Sequence, residues 1–320
     1  MSDLYAGVDL GGTTITAGLA DAGGRLVVAR TVPTGSADGP AAVLDRVAGL
    51  VEALAAEAAV KPRAVGVGLP GLAETATGVA LFLPNLPTQW RGVPVAATLA
   101  GRLGCPVRCL NDARAAALGE LTYGRGRDAR TMAFYTLGTG VGGGVVVEGK
   151  LLLGPLGAAG ELGHMTVLPD GPRCGCGNRG CLETVASGPA ITAEGVRLLH
   201  SGLAPELRRL VGGDAGRVTP KTMAEAAAAG DGLVREAIVR AAGFLGLGVA
   251  NVVTALHPDL VVLGGGVAGV GPLLFDEVRR VVAERVRMFP TGAVRVEPSA
   301  LGDAAGLLGA VALAARGTGG

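Results

Sequence analysis

A two-domain α/β fold is what this sequence predicts, on three observations. Strand-like apolar runs alternate with amphipathic helical stretches along most of the chain, the pattern of helices packed on sheets. A short unit of strand, Gly/Thr turn and strand occurs twice, near residues 4–21 and again near 132–148. The length, 320 residues, is enough for two domains that each bury a core.

In order, residues 4–9, 14–21 and 25–32 read as strands. Ala22-Gly23-Gly24 is a hairpin signal. The first joint, Leu10-Gly11-Gly12-Thr13, is too rich in glycine for a simple turn. Asp38 as N-cap and Pro40 in the first turn open a helix. Val43, Val47, Leu50, Val51 and Leu54 share one face of it, and Lys61-Pro62 ends it. Residues 64–69 form a buried strand, with Pro70-Gly71 as its turn. A proline-rich loop, 83–90, leads to a helix over 94–103. A strand over 107–110 delivers Asn111-Asp112 to a helix over 113–121. Residues 123–130 are a charged connection broken by glycine. The second copy follows: a strand over 132–137, the turn Gly138-Thr139-Gly140, and a strand over 144–148. Residues 188–230 read as loose helices, with a break at Gly212-Gly213. A long helix over 232–255 precedes a strand over 260–263 that runs into Gly264-Gly265-Gly266. A helix over 272–286, a strand over 293–296 and a helix over 304–315 complete the pattern.

Composition narrows the function. The chain carries 28 basic and 27 acidic residues with no basic block, which argues against a nucleic-acid partner held by a positive face. Aromatics are 3% of the chain, too few for a base-stacking platform. The most apolar stretch, 241–255, follows Arg235, Glu236 and Arg240 and contains Asn251. It falls short of the ~20 apolar residues a membrane span needs. The start runs from Asp3 directly into a strand, without the pattern of a signal peptide. Metal-spaced cysteines fit a reducing compartment. The expectation is a soluble cytoplasmic protein with no membrane partner. Cys105 and Cys109 read as small buried apolar residues.

The densest chemistry lies in residues 161–183. Cys174, Cys176 and Cys181 fall within eight positions, separated by glycine, and His164 precedes them by ten. Three thiolates and one imidazole are the ligand inventory of a structural zinc site. The glycines accept positive φ and let the backbone fold tightly round an ion. A disulfide is the competing reading, and a Cys-x-Cys pair rarely closes on itself. Glu161 and Glu183 flank the knot, and a metal loop alone does not need them; they point to a polar ligand beside the metal.

The glycine turns have two readings each. Gly11, Gly12 and Thr13 after Asp9, and Gly138, Thr139 and Gly140, are either structural turns or donors that approach phosphate oxygens closely. Their equivalent places in two copies favour a pair of phosphate clamps. Neither is a Gly-x4-Gly-Lys-Ser/Thr loop. Asp9 either holds Mg²⁺ through water or stabilises its turn. Gly264, Gly265 and Gly266 are either an adenine floor or a plain strand-to-helix turn. Asp112 is either a helix N-cap or a general base that takes a proton from a hydroxyl. Asn111 stands where it can bind the same substrate. His200 reads as a solvated helix residue, His257 as part of a loop and Trp90 as a packing anchor.

The run Gly157-Ala-Ala-Gly-Glu161-Leu-Gly-His164-Met, followed by Cys174-Gly-Cys176-Gly-Asn-Arg-Gly-Cys181-Leu-Glu183, resembles the ROK family (repressors, open reading frames, kinases). Asp9-Leu-Gly-Gly-Thr13, Leu110-Asn-Asp112 and Gly138-Thr-Gly-Val-Gly-Gly-Gly144 occur in that family's order and spacing. The likeness spans essentially the whole chain and is closest to the family's bacterial ATP-dependent glucokinases. It implies an actin-like ATPase (ribonuclease H-like) fold with an interdomain cleft. The small α/β domain would cover 1–113, completed by a C-terminal helix over about 303–316. The large domain, 114–302, would carry the zinc loop. Asp112 is then the base acting on a sugar 6-hydroxyl, with ATP and Mg²⁺ as donor system and glucose 6-phosphate and ADP as products. Asn111, Glu161, His164 and Glu183 would bind the other hydroxyls, with Asn85 lining the same pocket. His164 would give one ring nitrogen to zinc and the other to the sugar, so the Zn²⁺ is structural. The likeness also implies a homo-oligomer, dimer or tetramer.

Other acceptors compete: N-acetylglucosamine, N-acetylmannosamine, mannose or fructose. Polyphosphate is an alternative donor. A sugar-sensing repressor of the same family is disfavoured, because the first strand starts by residue 4 and no N-terminal DNA-binding segment precedes it. A zinc-stabilised binding module leaves the phosphate turns and Asp112 unexplained.

Overall fold

The structure, a computed structural model, describes residues 3–83 and 86–318. Its chain divides into two compact units. One comprises Met1–Arg130, Gly144–Gly160 and Ala300–Gly320; the other comprises Thr131–Gly143 and Glu161–Ser299.

The first unit opens with an antiparallel meander of β1 (Leu4–Leu10), β2 (Thr14–Asp21) and β3 (Leu26–Pro33). Then come α1 (Gly39–Glu57), β4 (Val65–Leu69), the hairpin β5 (Leu72–Glu74) and β6 (Val79–Phe82), α2 (Val95–Leu103), β7 (Val107–Asn111) and α3 (Asp112–Tyr123). The sheet order is β3-β2-β1-β4-β7, with β4 parallel to both β1 and β7. Every residue of β4 is buried, as expected of a central strand covered on both faces. Val43, Val47, Leu50, Val51 and Leu54 of α1 are buried as their spacing predicts. Asp38 occupies the N-cap position but makes no capping bond; its carboxylate pairs with Arg46 at 2.9 Å instead. The register sets Asp9 beside Gly68, and Gly68 beside Leu110. Three strand ends therefore line up where open α/β sheets bind ligands.

The second stretch contains β8 (Met132–Leu137), β9 (Val141–Val147), β10 (Lys150–Leu151), α4 (Glu183–Ala186), α5 (Gly188–His200), α6 (Pro205–Val211), α7 (Pro220–Ala228), α8 (Gly232–Leu256), β11 (Leu260–Gly264), α9 (Pro272–Arg285) and β12 (Arg295–Pro298). The sheet order is β10-β9-β8-β11-β12, with β8, β11 and β12 parallel. Helix α8, of 25 residues, is long and apolar enough to cross a membrane by composition, yet 61% of its most apolar window is buried. Val281 of α9 packs on its Gly246, and Leu182 on its Gly248. It is a core helix, consistent with a soluble protein.

The last helix, α10 (Ala305–Arg316), belongs to the first unit. It lies against β1, β4 and α3 at glycines. A Cβ on Gly66 would come within 1.9 Å of the Ala310 carbonyl oxygen, and one on Gly309 within 1.7 Å of that of Ala115. Helix α3 packs against α10 within this unit. The hairpin β5–β6 was not anticipated, and β9 begins at Val141 rather than at residue 144.

Candidate active site

In the first unit, β1 carries Asp9 to its end and turns through Gly11 and Gly12. The turn is tight: Gly11 N donates to the Thr14 carbonyl at 2.9 Å. Buried Thr34 pins it, its hydroxyl donating to the Gly11 carbonyl at 2.7 Å and its N–H to the Thr13 carbonyl at 2.8 Å. Thr13 itself is exposed. Burial raises the Asp9 carboxyl above its ordinary 3.8, because desolvation disfavours the charged form. A Cβ on Gly68 would lie 3.5 Å from the Asp112 Cα and 3.7 Å from Asp9 Oδ1. Both are ordinary contact distances, so Gly68 stands beside both carboxylate residues. Gly306, in the first turn of α10, is tighter against Asp9: a Cβ there would meet Asp9 Oδ2 at 2.4 Å.

Asn111, not Asp112, caps α3. Its Oδ1 accepts from the N–H groups of Ala113 at 3.0 Å and Arg114 at 3.1 Å, and from Arg114 Nη1 at 2.8 Å. Its Nδ2 donates to the Gly71 carbonyl at 3.1 Å. With the cap supplied by its neighbour, Asp112 becomes the first helical residue, half-buried, with Oδ1 accepting from Ala113 N at 2.8 Å. Sequence reasoning passed over Arg114. Its signal was a lone cation in the alanine-rich run 113–117, three residues beyond Asn111 and hence on the same helical face. Asn85 lies outside the described residues.

In the second unit, the turn Gly138-Thr139-Gly140 is fastened at both ends. Gly188 N donates to the Gly138 carbonyl at 2.8 Å, and Val141 N donates to Glu183 Oε2 at 3.0 Å. Glu183, in the first turn of α4, lies so close that a Cβ on Gly140 would meet its Oε2 at 2.4 Å. The other carboxylate oxygen, Oε1, is 3.7 Å from Cys174 Sγ. Of the three consecutive glycines after β11, Gly265 is required by the fold, with φ +80° and space for no Cβ beside Leu137.

The cysteine loop folds as a double turn. Cys174 N donates to the Asn178 carbonyl at 2.8 Å and Gly177 N to the Cys174 carbonyl at 3.0 Å. Gly177 and Gly180 adopt φ +95° and +62°. The ligand atoms of His164, Cys174, Cys176 and Cys181 all lie within 4.8 Å of one another. Tetrahedral zinc bonds of about 2.3 Å to sulfur and 2.0–2.1 Å to nitrogen imply edges of roughly 3.8 Å for S–S and 3.5 Å for S–N. The structure gives 3.7 Å from Cys176 Sγ to Cys181 Sγ and 3.5 Å from Cys174 Sγ to His164 Nδ1. The four residues fit such an ion. Burial pushes the Cys174 thiol up to about 12, whereas the Asn178 backbone N–H holds Cys176 below its ordinary value. His164 turns Nδ1 toward the thiols and Nε2 toward Glu161, whose Oε2 is 3.8 Å away.

The structure therefore collects the sequence-derived residues into two groups. Asp9, Gly11, Gly12, Thr13, Asn111 and Asp112 stand at the strand ends of the first unit. Gly138, Thr139, Gly140, Glu161, His164, Glu183 and the cysteines lie in the second, with Gly264, Gly265 and Gly266 ending its strand β11.

Fold and site together define a two-domain α/β sugar kinase. The ROK family model matches residues 5–317, and the chain belongs to the ROK family. It is 38% identical over 313 residues to a glucokinase from Thermotoga maritima, covering 96% of each chain. A ROK family glucokinase from Streptomyces griseus, crystallised with glucose and AMPPNP, matches with TM-score 0.86 and 34% identity, over 98% of this chain and 100% of that one. An N-acetyl-D-glucosamine kinase from Escherichia coli is 34% identical over 97% of this chain and 99% of its own.

Proposed function

We propose that this protein transfers the γ-phosphoryl group of ATP to the 6-hydroxyl of glucose, giving glucose 6-phosphate and ADP. The observation that carries the reading is the two-sided placement of His164, one ring nitrogen among the thiols and the other beside Glu161. Zinc held by His164, Cys174, Cys176 and Cys181 would fix the imidazole's tautomer and orientation. Nε2–H then donates to a sugar hydroxyl, while Glu161 and Glu183 accept from others. Asn111 keeps a second N–H on Nδ2 for the same sugar. Asp112 takes the proton of the 6-hydroxyl as its oxygen closes on phosphorus, in line with the leaving ADP.

The glycine turns serve the nucleotide in this reading: residues 11–13 and 138–140 the phosphates, and Gly264, Gly265 and Gly266 the adenine. Support comes from Gly138 and Gly266, where an added Cβ would meet nothing within 4 Å. Packing does not require glycine there, whereas close approach of a ligand does. Asp9 would hold Mg²⁺ through water, which spreads the charge developing on the phosphates. The same reading puts the enzyme in the cytoplasm as a dimer or tetramer.

The likeness to an N-acetyl-D-glucosamine kinase favours one second reading, an acceptor altered at C2. A coupled ADP-release assay with ATP and a panel of glucose, N-acetylglucosamine, N-acetylmannosamine, mannose and fructose separates the two. The highest kcat/KM is expected for glucose. Another sugar ahead of it would replace the acceptor, and no ADP release with any sugar would end the kinase reading.

A further inference from the structure

We propose that Arg114 is a positioning residue for the sugar site, holding in one guanidinium both the cap beside Asp112 and the segment that leads into Glu161. The inference rests on the reading of Asp112 and Glu161 as sugar-site residues.

Arg114 is 1% exposed, so this charge is carried inside the first unit. The planar fork of a guanidinium can hold several acceptors in fixed directions. Here Nη1 donates to Asn111 Oδ1 at 2.8 Å, Nε to the Ala159 carbonyl at 2.9 Å and Nη2 to the Ala158 carbonyl at 2.9 Å. The first bond locks the side chain that caps α3 one residue before Asp112. The other two grip consecutive carbonyls, and Ala159 is two residues ahead of Glu161.

The gripped segment has little other freedom. Ala159 N donates to the Leu153 carbonyl at 2.9 Å. Gly160 takes φ +89°, and a Cβ there would press on the Gly144 Cα at 3.1 Å. The chain leaves this fixed point and reaches Glu161 at once, then the short 3-10 turn Leu162–His164. Whatever sets the carbonyls of Ala158 and Ala159 thus sets the take-off of the strand of residues that meets the sugar. A buried side chain would in this way govern sugar affinity.

The test is Arg114→Lys in the full-length protein, with steady-state KM for glucose and for ATP measured separately and a thermal melt to confirm folding. Lysine keeps the charge but cannot fork, so at least one carbonyl is released. Losing a charged hydrogen bond of this kind corresponds to about tenfold or more, expected in the glucose KM, with the ATP KM unchanged. A role confined to stability predicts the reverse: a lower melting temperature with both KM values unaltered. That result, or an equal rise in both KM values, overturns the proposal. If Arg114→Lys does not fold, Gly160→Ala shifts the same segment from its other side. A raised glucose KM with unchanged ATP KM then supports the proposal, and an unaltered glucose KM overturns it. Wild-type protein that phosphorylates no sugar fails the functional reading itself, and the proposal with it. An active wild type with an indifferent variant fails the proposal alone.

Discussion

At Asp112 the charge can be removed while the bond to the start of α3 is kept. Its Oδ1 accepts from Ala113 N, and an amide oxygen accepts the same bond, so Asp112→Asn leaves the start of α3 intact. Loss of a general base lowers turnover by ~10²–10⁴-fold, and that drop in kcat is expected with sugar binding retained by calorimetry. Near-normal turnover would remove Asp112 from the base role. Asp9 gives a separate, pH-dependent expectation. Its carboxyl is raised by burial, so the protonated form is favoured in the folded state. Its contribution to stability is present below the unfolded value and is lost as pH rises through the raised folded value. Under the proposed Mg²⁺ role of Asp9, activity runs the opposite way, because the ionised carboxylate would then be required. The acid limb of kcat/KM for ATP should therefore lie above 3.8, the ordinary aspartate value. A pH-rate profile whose limb falls at or below that value would contradict the assignment.

At the scale of elements, the cysteine loop is read here as a brace rather than a catalyst. Its four candidate ligands come from two places, the short turn at His164 and the double turn at residues 174–181, and a shared ion would tie them together. Cys176→Ser is expected to lose the metal, measured by elemental analysis of purified protein, and to raise the glucose KM as His164 is released. Structural zinc contributes strongly to folding in small sites, on the order of 10 kcal/mol in zinc-finger peptides, so a lowered melting temperature should accompany it. Metal retained at one per chain with unaltered sugar binding would defeat the brace. Glu183 makes this element more than local. It stands between Cys174 Sγ and the N–H of Val141 that closes the Gly138-Thr139-Gly140 turn. The clustering of His164 with the three cysteines was legible in the sequence because thiols and imidazole at close spacing have few other uses. The bond from Glu183 to Val141 was not, because a carboxylate 42 positions from its partner leaves no periodic trace.

Across the whole molecule, what sequence conveyed best was local alternation. The duplicated strand, turn and strand, the buried β4 and the apolar face of α1 all follow from spacing. What it conveyed poorly was which distant segments share a core. The first unit is built from three separate stretches of chain, and where α10 meets α3 and the sheet, backbone approaches backbone at glycines. Helix α10 reaches α3 and the sheet only because Gly66, Gly119 and Gly309 lack side chains at the crossing. Hydrophobic pattern is blind to such approaches, because a missing side chain leaves no period in the sequence. The same geometry yields a measurable consequence far from any substrate. Gly309→Ala would add a Cβ 1.7 Å from the Ala115 carbonyl oxygen, a backbone atom that cannot rotate away. Overpacking typically costs ~1–3 kcal/mol and occasionally more, outweighing the roughly 1 kcal/mol gained when alanine replaces glycine in a helix. Urea unfolding should therefore show a net loss of stability, with α3 pushed aside and turnover reduced alongside it, since α3 begins at Asp112. A Gly309→Ala protein as stable as the parent would mean that α10 does not cross α3 at this glycine.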